Sequence, residues 1–402
     1  MSICSKFSLF LNKQLVVKHA ILLKSILLLT LIVMKTGANS QDNLIEIRNR
    51  LHNTPEYSHN EEKTAATILE YLDKAGPDKI YNNIGGHGIV AEFKGLRPGP
   101  AKMFRCEMDA IKTDKGCEHL CGHDGHITIM LGLAQRLAEN RNFSGTVFLL
   151  FQPAEEIGEG AALMIKDIDK LGLKFDYAFA LHNNPNYELN EVIIHKGTYA
   201  AGSTGMELHF NGKASHAAFP EQAVSPVNAI FATINEIRRL NEDKTQFNDF
   251  TLTTVVNVEI GEANYGVTPG DGFLRLTLRS FDDADLNKLC GIIDNFASER
   301  AKKDGLKLTV TYHDRFPATI NNSVANKMVE EAAKATGHSI LYVTDPTRGS
   351  DDFCYFTNGA KASFFDIGNG KESSDLHQPD YHFSDEIIIP SINIFYDLVF
   401  KM

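Results

Sequence analysis

Apolar and polar positions change rhythm several times along this chain. Leu44, Ile47 and Leu51 recur at helical spacing, and Ser58 followed by Glu61 reads as a capping box opening a second helix that Gly76-Pro77 closes. Short apolar runs predict strands at Ile89–Phe93 and Met103–Cys106, joined by the turn-rich Gly95-Leu96-Arg97-Pro98-Gly99-Pro100. The pattern then alternates: a helix over 127–140, a strand at Thr146–Phe151, a helix at Glu156–Leu171 and a strand at Tyr177–Leu181. Strand and helix in turn predict an α/β sheet. From Met206 to Tyr312 the order is strand, helix, strand, strand, helix, strand, a complete βαββαβ unit. It reads as a domain over 203–315 inserted into a first domain made of 41–202 and 316–402, which resumes with a helix over 323–335, a strand at Ala362–Ile367 and a terminal helix ending at Lys401.

Ligands of α/β sheets gather at the carboxyl ends of strands. There this chain carries Asp109, then Glu155-Glu156, then His182, and the loop after Ala362–Ile367 carries His377. Cys121-Gly122-His123-Asp124-Gly125-His126 packs one thiol, two imidazoles and a carboxylate into six residues ahead of an apolar helix. Cys121 and His123 can both turn toward one ion, and the glycines admit a close backbone approach. The plain alternative is a helix-entry turn capped by Asp124. Adjacent carboxylates repel, so Glu155 and Glu156 are either a solvated helix start or a pair in which one binds a cation and the other takes a proton. Zinc lowers the pKa of a bound water to about 7, so a free carboxylate beside it can serve as general base. Cys121, His123, Glu156, His182 and His377 make five ligands, too many for one tetrahedral zinc, and two bridged metals fit that count better. His119 and His126 flank the cluster as candidates for orienting ligands. His216 is set apart as a functional candidate because Gly212-Lys213-Ala214-Ser215-His216 ends a strand at the start of the inserted unit. His52, His59, His87, His195, His209, His313, His338 and His382 show no usable pattern and read as surface or satisfied core.

Charge and cysteine usage narrow the picture. The first forty residues hold five lysines and no acidic residue, then the apolar run Ile26–Met34 and Ala38-Asn39-Ser40, which reads as a signal segment over 1–40 cleaved after Ser40. A membrane anchor is the competing reading, but Lys18 and Lys24 interrupt the longer apolar stretch. Secretion or a periplasmic location is therefore expected. Removing the segment takes the charge from 40 − 51 = −11 to 35 − 51 = −16, which argues against a nucleic-acid partner. Cys106, Cys117, Cys121, Cys290 and Cys354 are too few and odd in number for a disulfide framework; Cys117 and Cys121 could pair locally, but a metal-bound thiolate explains Cys121 better.

The sequence resembles the metal-dependent amidohydrolase and carboxypeptidase family that includes aminoacylases, hippurate hydrolase and auxin-conjugate (indoleacetyl-amino acid) hydrolases. The likeness runs from Arg48-Asn49-Arg50-Leu51-His52-Asn53-Thr54-Pro55-Glu56 through Cys121–His126, Phe151–Glu156 and His216-Ala217-Ala218-Phe219-Pro220 to Gly349-Ser350-Asp351-Asp352-Phe353. It implies a two-domain α/β fold, a catalytic domain with an inserted ferredoxin-like domain that often mediates dimerisation. It also implies two divalent metal ions, zinc first with manganese, cobalt or nickel as alternatives, held by Cys121, His123, Glu156, His182 and His377. Glu155 would be the base, with Asp109 and His216 as further catalytic candidates, and the histidine equivalent to His216 reaches a neighbouring subunit in relatives. Arg279 matches a position associated with the substrate carboxylate. Two positions depart from the pattern: Glu107 stands where an Asp is usual, and Gly266 where an Asn is expected in the substrate-binding face. The expectation is an exported homodimeric hydrolase cleaving the amide of an N-acyl amino acid or small amino acid conjugate through a metal-activated water. A dipeptidase or carboxypeptidase, and a metal-retaining binding protein without turnover, are the alternatives; retention of Glu155 speaks against the last.

Overall fold

The computed structural model describes residues 43–357 and 359–401, so the expected signal segment lies outside the described residues. The chain divides after Asn53: the first unit contains helix α1 over 43–52, and the second runs from Thr54 onward. No helix among the described residues is long and apolar enough to cross a membrane.

The second unit is built on a large sheet. Its first six strands are β1 (Lys79–Ile84), β2 (Gly88–Lys94), β3 (Arg97–Glu107), β4 (Ser144–Gln152), β5 (Tyr177–Asn184) and β6 (Val192–His195). The chain then leaves to form β7 (Gly202–Asn211), β8 (Thr251–Ile260), β9 (Asp271–Ser280) and β10 (Lys307–Phe316), and returns with β11 (Ile340–Val343) and β12 (Lys361–Gly368). The large sheet has the order β1-β2-β4-β3-β5-β12-β6-β11. Its centre is parallel, β3 against β4 and β5, and β5 against β12. Every residue of β2 but its last is buried, as are the last six of β3 and β4, because helices cover both faces. On one face lie α2 (Glu62–Ala75), α3 (His123–Glu139) and α8 (Ile388–Phe400), with Phe104 and Phe365 packing edge-on against Phe395. On the other, Met164 and Ile168 of α4 (Gly160–Leu171) meet Val90, Met103, Leu150, Ala178 and Phe364.

The inserted segment is the βαββαβ unit anticipated from its spacing. Its four strands are antiparallel in the order β8-β9-β7-β10, a ferredoxin-like arrangement. Burial alternates strictly along β9, and the inward residues Leu274, Leu276 and Leu278 pack with α5 (Val227–Glu242) and α6 (Asp283–Lys303). α7 (Ser323–Ala335) follows the inserted lobe, as its spacing predicts.

Several elements depart from expectation. β1, β6 and β11 are short strands beyond those the spacing predicts: β1 pairs with β2, β6 with β12, and β11 with β6 at the edge of the sheet. The turn-rich 95–100 stretch is mostly strand: β3 begins at Arg97 and accommodates its prolines with a register shift before Ala101. The helix expected from Glu156 begins at Gly160, because Ala154 adopts a positive φ of 51° and residues 155–158 form a turn instead. Ser58 and Glu61 do not form a capping box; α2 has no side-chain cap, and both side chains turn inward to the site described next.

Candidate metal centre and catalytic cavity

α3 starts at His123, and the preceding Gly122 has φ 94° with Asn183 Oδ1 and Tyr381 OH 2.4 and 2.7 Å from where a Cβ would stand, so only glycine fits this entry. The turn delivers Cys121 and His123, both buried, to the carboxyl ends of β3 and β5. His123 Nδ1 lies 2.9 Å from the Asp109 carbonyl and His182 Nδ1 2.8 Å from the Asn183 carbonyl. A carbonyl only accepts, so both Nδ1 atoms carry protons and both Nε2 atoms present lone pairs to the site. His182 Nε2 is 3.4 Å from Cys121 Sγ; His123 Nε2 is 3.8 Å from Glu156 Oε1 and 4.0 Å from Glu155 Oε2; His377 Nε2 is 3.9 Å from Glu156 Oε2. His377 itself is exposed and held at φ 67° by its amide, which donates to the Leu120 carbonyl.

These atoms fit a divalent cation. His123 Nε2 and Glu156 Oε1 are buried without a hydrogen-bond partner, and the ligand atoms of Cys121, His123 and His182, and again of Cys121, Glu156 and His377, lie within 4.8 Å of one another. Lone pairs so packed repel unless a cation sits among them. The two triads meet at Cys121, so one thiolate can serve two ions. Burial pushes the Cys121 thiol well up and drives His182 down to about 3, so His182 is neutral, and a cation is what would draw the proton off the thiol. Burial, with Asp351 and Glu156 alongside, holds Glu155 well above the usual carboxylate range.

Behind the ligands lies a set of buried positioning groups. Asp109 is fully buried and does not line the cavity; its Oδ2 accepts from Ser58 Oγ at 2.7 Å and from the Glu156 amide at 3.0 Å, and its carbonyl orients His123. The aspartate thus touches His123 and Glu156 rather than the cavity. Glu61 accepts from the Ala154 amide at 2.8 Å and holds the turn that aims Glu155 and Glu156. Glu107 binds Arg105 on one oxygen and His126 Nδ1 at 2.8 Å on the other; His126 in turn contacts Asn183 Oδ1 at 2.8 Å. Burial alone would raise Glu107, but Arg105 and His126 hold it well below the carboxylate range. The Glu in place of Asp therefore keeps a buried, fully paired carboxylate. Ser58 and Glu61 carry in the sequence only the signal of a capping box, and Asn183 and Tyr381 none except position beside the motifs. All five cysteines among the described residues are free.

A cavity of about 1190 Å³ opens over the centre, lined by Cys121, Glu155, Glu156, His182 and His377 and, from the inserted lobe, Ser203, Arg279 and Asp314. Arg279 Nη1 donates to the Arg348 carbonyl at 2.8 Å and to Ser350 Oγ at 3.0 Å, which leaves other guanidinium donors for a ligand. His216 and Gly266 do not line this cavity. They sit together at the exposed tip of the inserted lobe, where Ser215–His216 pairs with Val267–Thr268 and the Ala217 amide donates to the Gly266 carbonyl at 2.9 Å. His195, taken from sequence as surface or satisfied core, is neither: it is 5% exposed, lines the cavity, and its Nδ1 has no partner.

Fold and site together define a two-lobed α/β hydrolase. The chain belongs to peptidase family M20/M25/M40, which matches residues 103–401, and it is a metal-dependent enzyme of the amidohydrolase and metallopeptidase kind. It is 27% identical over 358 residues to thermostable carboxypeptidase 1 of Saccharolobus solfataricus, covering 85% of this chain and 89% of that protein. It is 28% identical over 372 residues to IAA-amino acid hydrolase ILR1-like 2 of Arabidopsis thaliana, covering 86% and 82%. Among solved structures, the Bacillus subtilis YXEP protein, described as a dinuclear metal binding peptidase of the M20 family, superposes with a TM-score of 0.77 at 23% identity, covering 90% of this chain and 98% of that one.

Proposed function

We propose that this protein is an exported hydrolase that cleaves the amide bond of N-acyl amino acids or small amino acid conjugates, with two divalent ions held by Cys121, His123, Glu156, His182 and His377. The observation that carries the reading is one cavity holding a cation-ready donor set, an adjacent free carboxylate, Glu155, and a guanidinium, Arg279. When bound, the ions supply polarisation of the scissile carbonyl and a water acidified toward a pKa of about 7. Glu155 takes the proton of that water and passes it to the leaving nitrogen. Arg279 holds the carboxylate of the leaving amino acid through its planar fork. The relatives named for IAA-amino acids and for carboxypeptidase activity both act where an amino acid is released, which supports this assignment of Arg279.

His216 is proposed to donate to the oxyanion in the site of a second subunit. Its exposed surroundings support that: Phe219 is 52% exposed, Val267 44% and Tyr265 fully so, an apolar tip that a partner would cover. Gly266 leaves room there, since an added Cβ would meet only Asn264 Oδ1 at 3.3 Å, and it is proposed to relax substrate contacts. The test is mass-spectrometric screening of the purified protein against N-acyl amino acids and dipeptides, with metal analysis of the same sample. Turnover of N-acyl amino acids with two ions per chain is expected; turnover of dipeptides alone would reassign it as a peptidase, and bound metal with no turnover as a binding protein.

A further inference from the structure

Aspartates and glutamates line the cavity from both lobes, and Arg279 is the only Lys or Arg among the described residues that does. Burial holds Arg279 below the usual arginine range, and no neighbouring charge counters that shift. The guanidinium is held by two neutral oxygens, the Arg348 carbonyl and Ser350 Oγ. Both belong to the stretch that runs into Gly349-Ser350-Asp351-Asp352-Phe353, a motif to which the mechanism so far gives no role.

The chain enters the inserted lobe through Thr198–Ala200, which pairs with Thr319–Ile320 on the return. The stretch 347–350 is stapled to that connector. The Thr347 amide donates to the Tyr199 carbonyl at 2.8 Å, and the Ala201 amide to the Thr347 and Gly349 carbonyls at 3.1 and 3.0 Å. Ser350 Oγ donates to the Ala201 carbonyl at 2.7 Å. A hydroxyl has one proton, so toward Arg279 Nη1, 3.0 Å away, Ser350 Oγ only accepts. The Arg348 carbonyl accepts from the same Nη1 at 2.8 Å, while the Arg348 guanidinium lies 5.0 Å from the ring centroid of Phe250 in the inserted lobe. Both protons of Nη1 are thereby used. Nε and Nη2 bond to nothing among the described residues, and they form the one edge left that offers a carboxylate two parallel N–H groups. One residue on, Asp351 Oδ1 meets Arg105 Nη2 at 3.1 Å, and the Asp351 and Glu155 carboxylates lie within 4.8 Å of each other. Residues 350 and 351 therefore reach from the guanidinium to the base.

We infer that Ser350, with the Arg348 carbonyl, is the positioning residue of Arg279, and that it makes the enzyme select its leaving group by the charge and the place of a carboxylate. This rests on the proposed hydrolase function and deepens it on the side of the leaving amino acid. A free arginine loses rotamers when it binds; here the fold has already fixed the side chain, so little ordering remains for the substrate to impose. A fixed fork also discriminates by position. A carboxylate one methylene farther from the scissile nitrogen moves off the Nε–Nη2 edge while the amide stays beside Glu155, and small misplacements of that kind cost about 10²-fold in rate.

The experiment uses the full metal-loaded protein and six compounds: glycine, glycinamide and β-alanine, each N-acetylated and N-benzoylated. With the better acyl group the wild type should show kcat/KM about tenfold or more higher for the glycine compound than for its carboxamide, and a difference of about tenfold or more between glycine and β-alanine. In Ser350→Ala the KM for the glycine compound should rise about tenfold and both ratios should shrink toward one, with the rate on the carboxamide unchanged. The carboxamide separates positioning from damage, because a disturbed fold lowers all three rates together. Ratios unchanged in Ser350→Ala, or an equal loss on all three compounds, overturn the role of Ser350 and leave the hydrolase reading standing. A wild type that treats glycine and β-alanine alike overturns it as well, and that comparison needs no variant to fold. Turnover of none of the six compounds overturns both readings.

Discussion

Along β9 of the inserted lobe, buried leucines alternate with outward residues, and the polar groups there find partners: Asp285 accepts from the Asn248 and Asp249 amides, and Arg275 pairs with Glu207 at 2.6 Å. At the carboxyl ends of the large sheet the opposite holds. Asp109 Oδ1, His123 Nε2, Glu156 Oε1 and His195 Nδ1 are buried and unpartnered, whereas among the described residues of 202–316 no buried carboxylate or imidazole atom lacks a partner. Proteins rarely leave such groups unsatisfied, so the contrast separates a lobe that is complete as folded from a site that awaits a cation and a ligand. The inserted lobe's functional candidates, His216 and Gly266, are correspondingly on its exposed tip, where only another molecule can give them a role.

The sharpest way to break that contrast is at the adjacent glutamates. Glu155→Gln should lower kcat by about 10² to 10⁴-fold with the metal content unchanged, and Glu156→Gln should lose metal; equal metal loss in both variants, read by elemental analysis, would show that the two carboxylates are not functionally distinct. A second probe asks whether the exposed tip is incomplete alone. His216→Ala should lower kcat by about 10² to 10³-fold in a protein that sediments as a dimer. A monomer whose rate ignores the substitution would return His216 to the surface.

The smallest expected effect concerns a buried charge that is satisfied. Lys102, 1% exposed, donates to the Leu398 and Val399 carbonyls at 3.1 and 2.8 Å and to that of Lys401, closing the end of α8. Lys102→Met should cost about 1–3 kcal/mol by stranding those carbonyls. Burial drives the folded lysine down to about 8 from 10.5, so between these pH values the unfolded chain binds the extra proton and wild-type stability gains on the variant as pH rises. Denaturant titrations at pH 7.5 and 10 check the sign; a gap that narrows with rising pH contradicts it.

Periodicity and composition alone determined much of this protein. The βαββαβ order, α7 to the residue, and the strand ends bearing Glu155, Glu156 and His182 follow from local spacing, because helices and buried strands impose their repeats on neighbouring residues. Cys121 and His123 announced themselves because a ligand pair within one turn is a local pattern. What only the tertiary structure decided is how distant side chains are spent. Ser58 and Glu61 spell a capping box, yet Asp109 and the strained Ala154 turn claim them across 51 and 93 residues. The short β6 is held as a strand by the longer β12, and β11 in turn by β6, pairings that local spacing does not announce. His195 and Asp366 are unremarkable letters 171 positions apart until strand pairing sets them on one cavity floor, 3.4 Å from each other. Burial turns that pair into chemistry, because removing water leaves each lone pair to be satisfied by whatever the fold, or a ligand, brings to it.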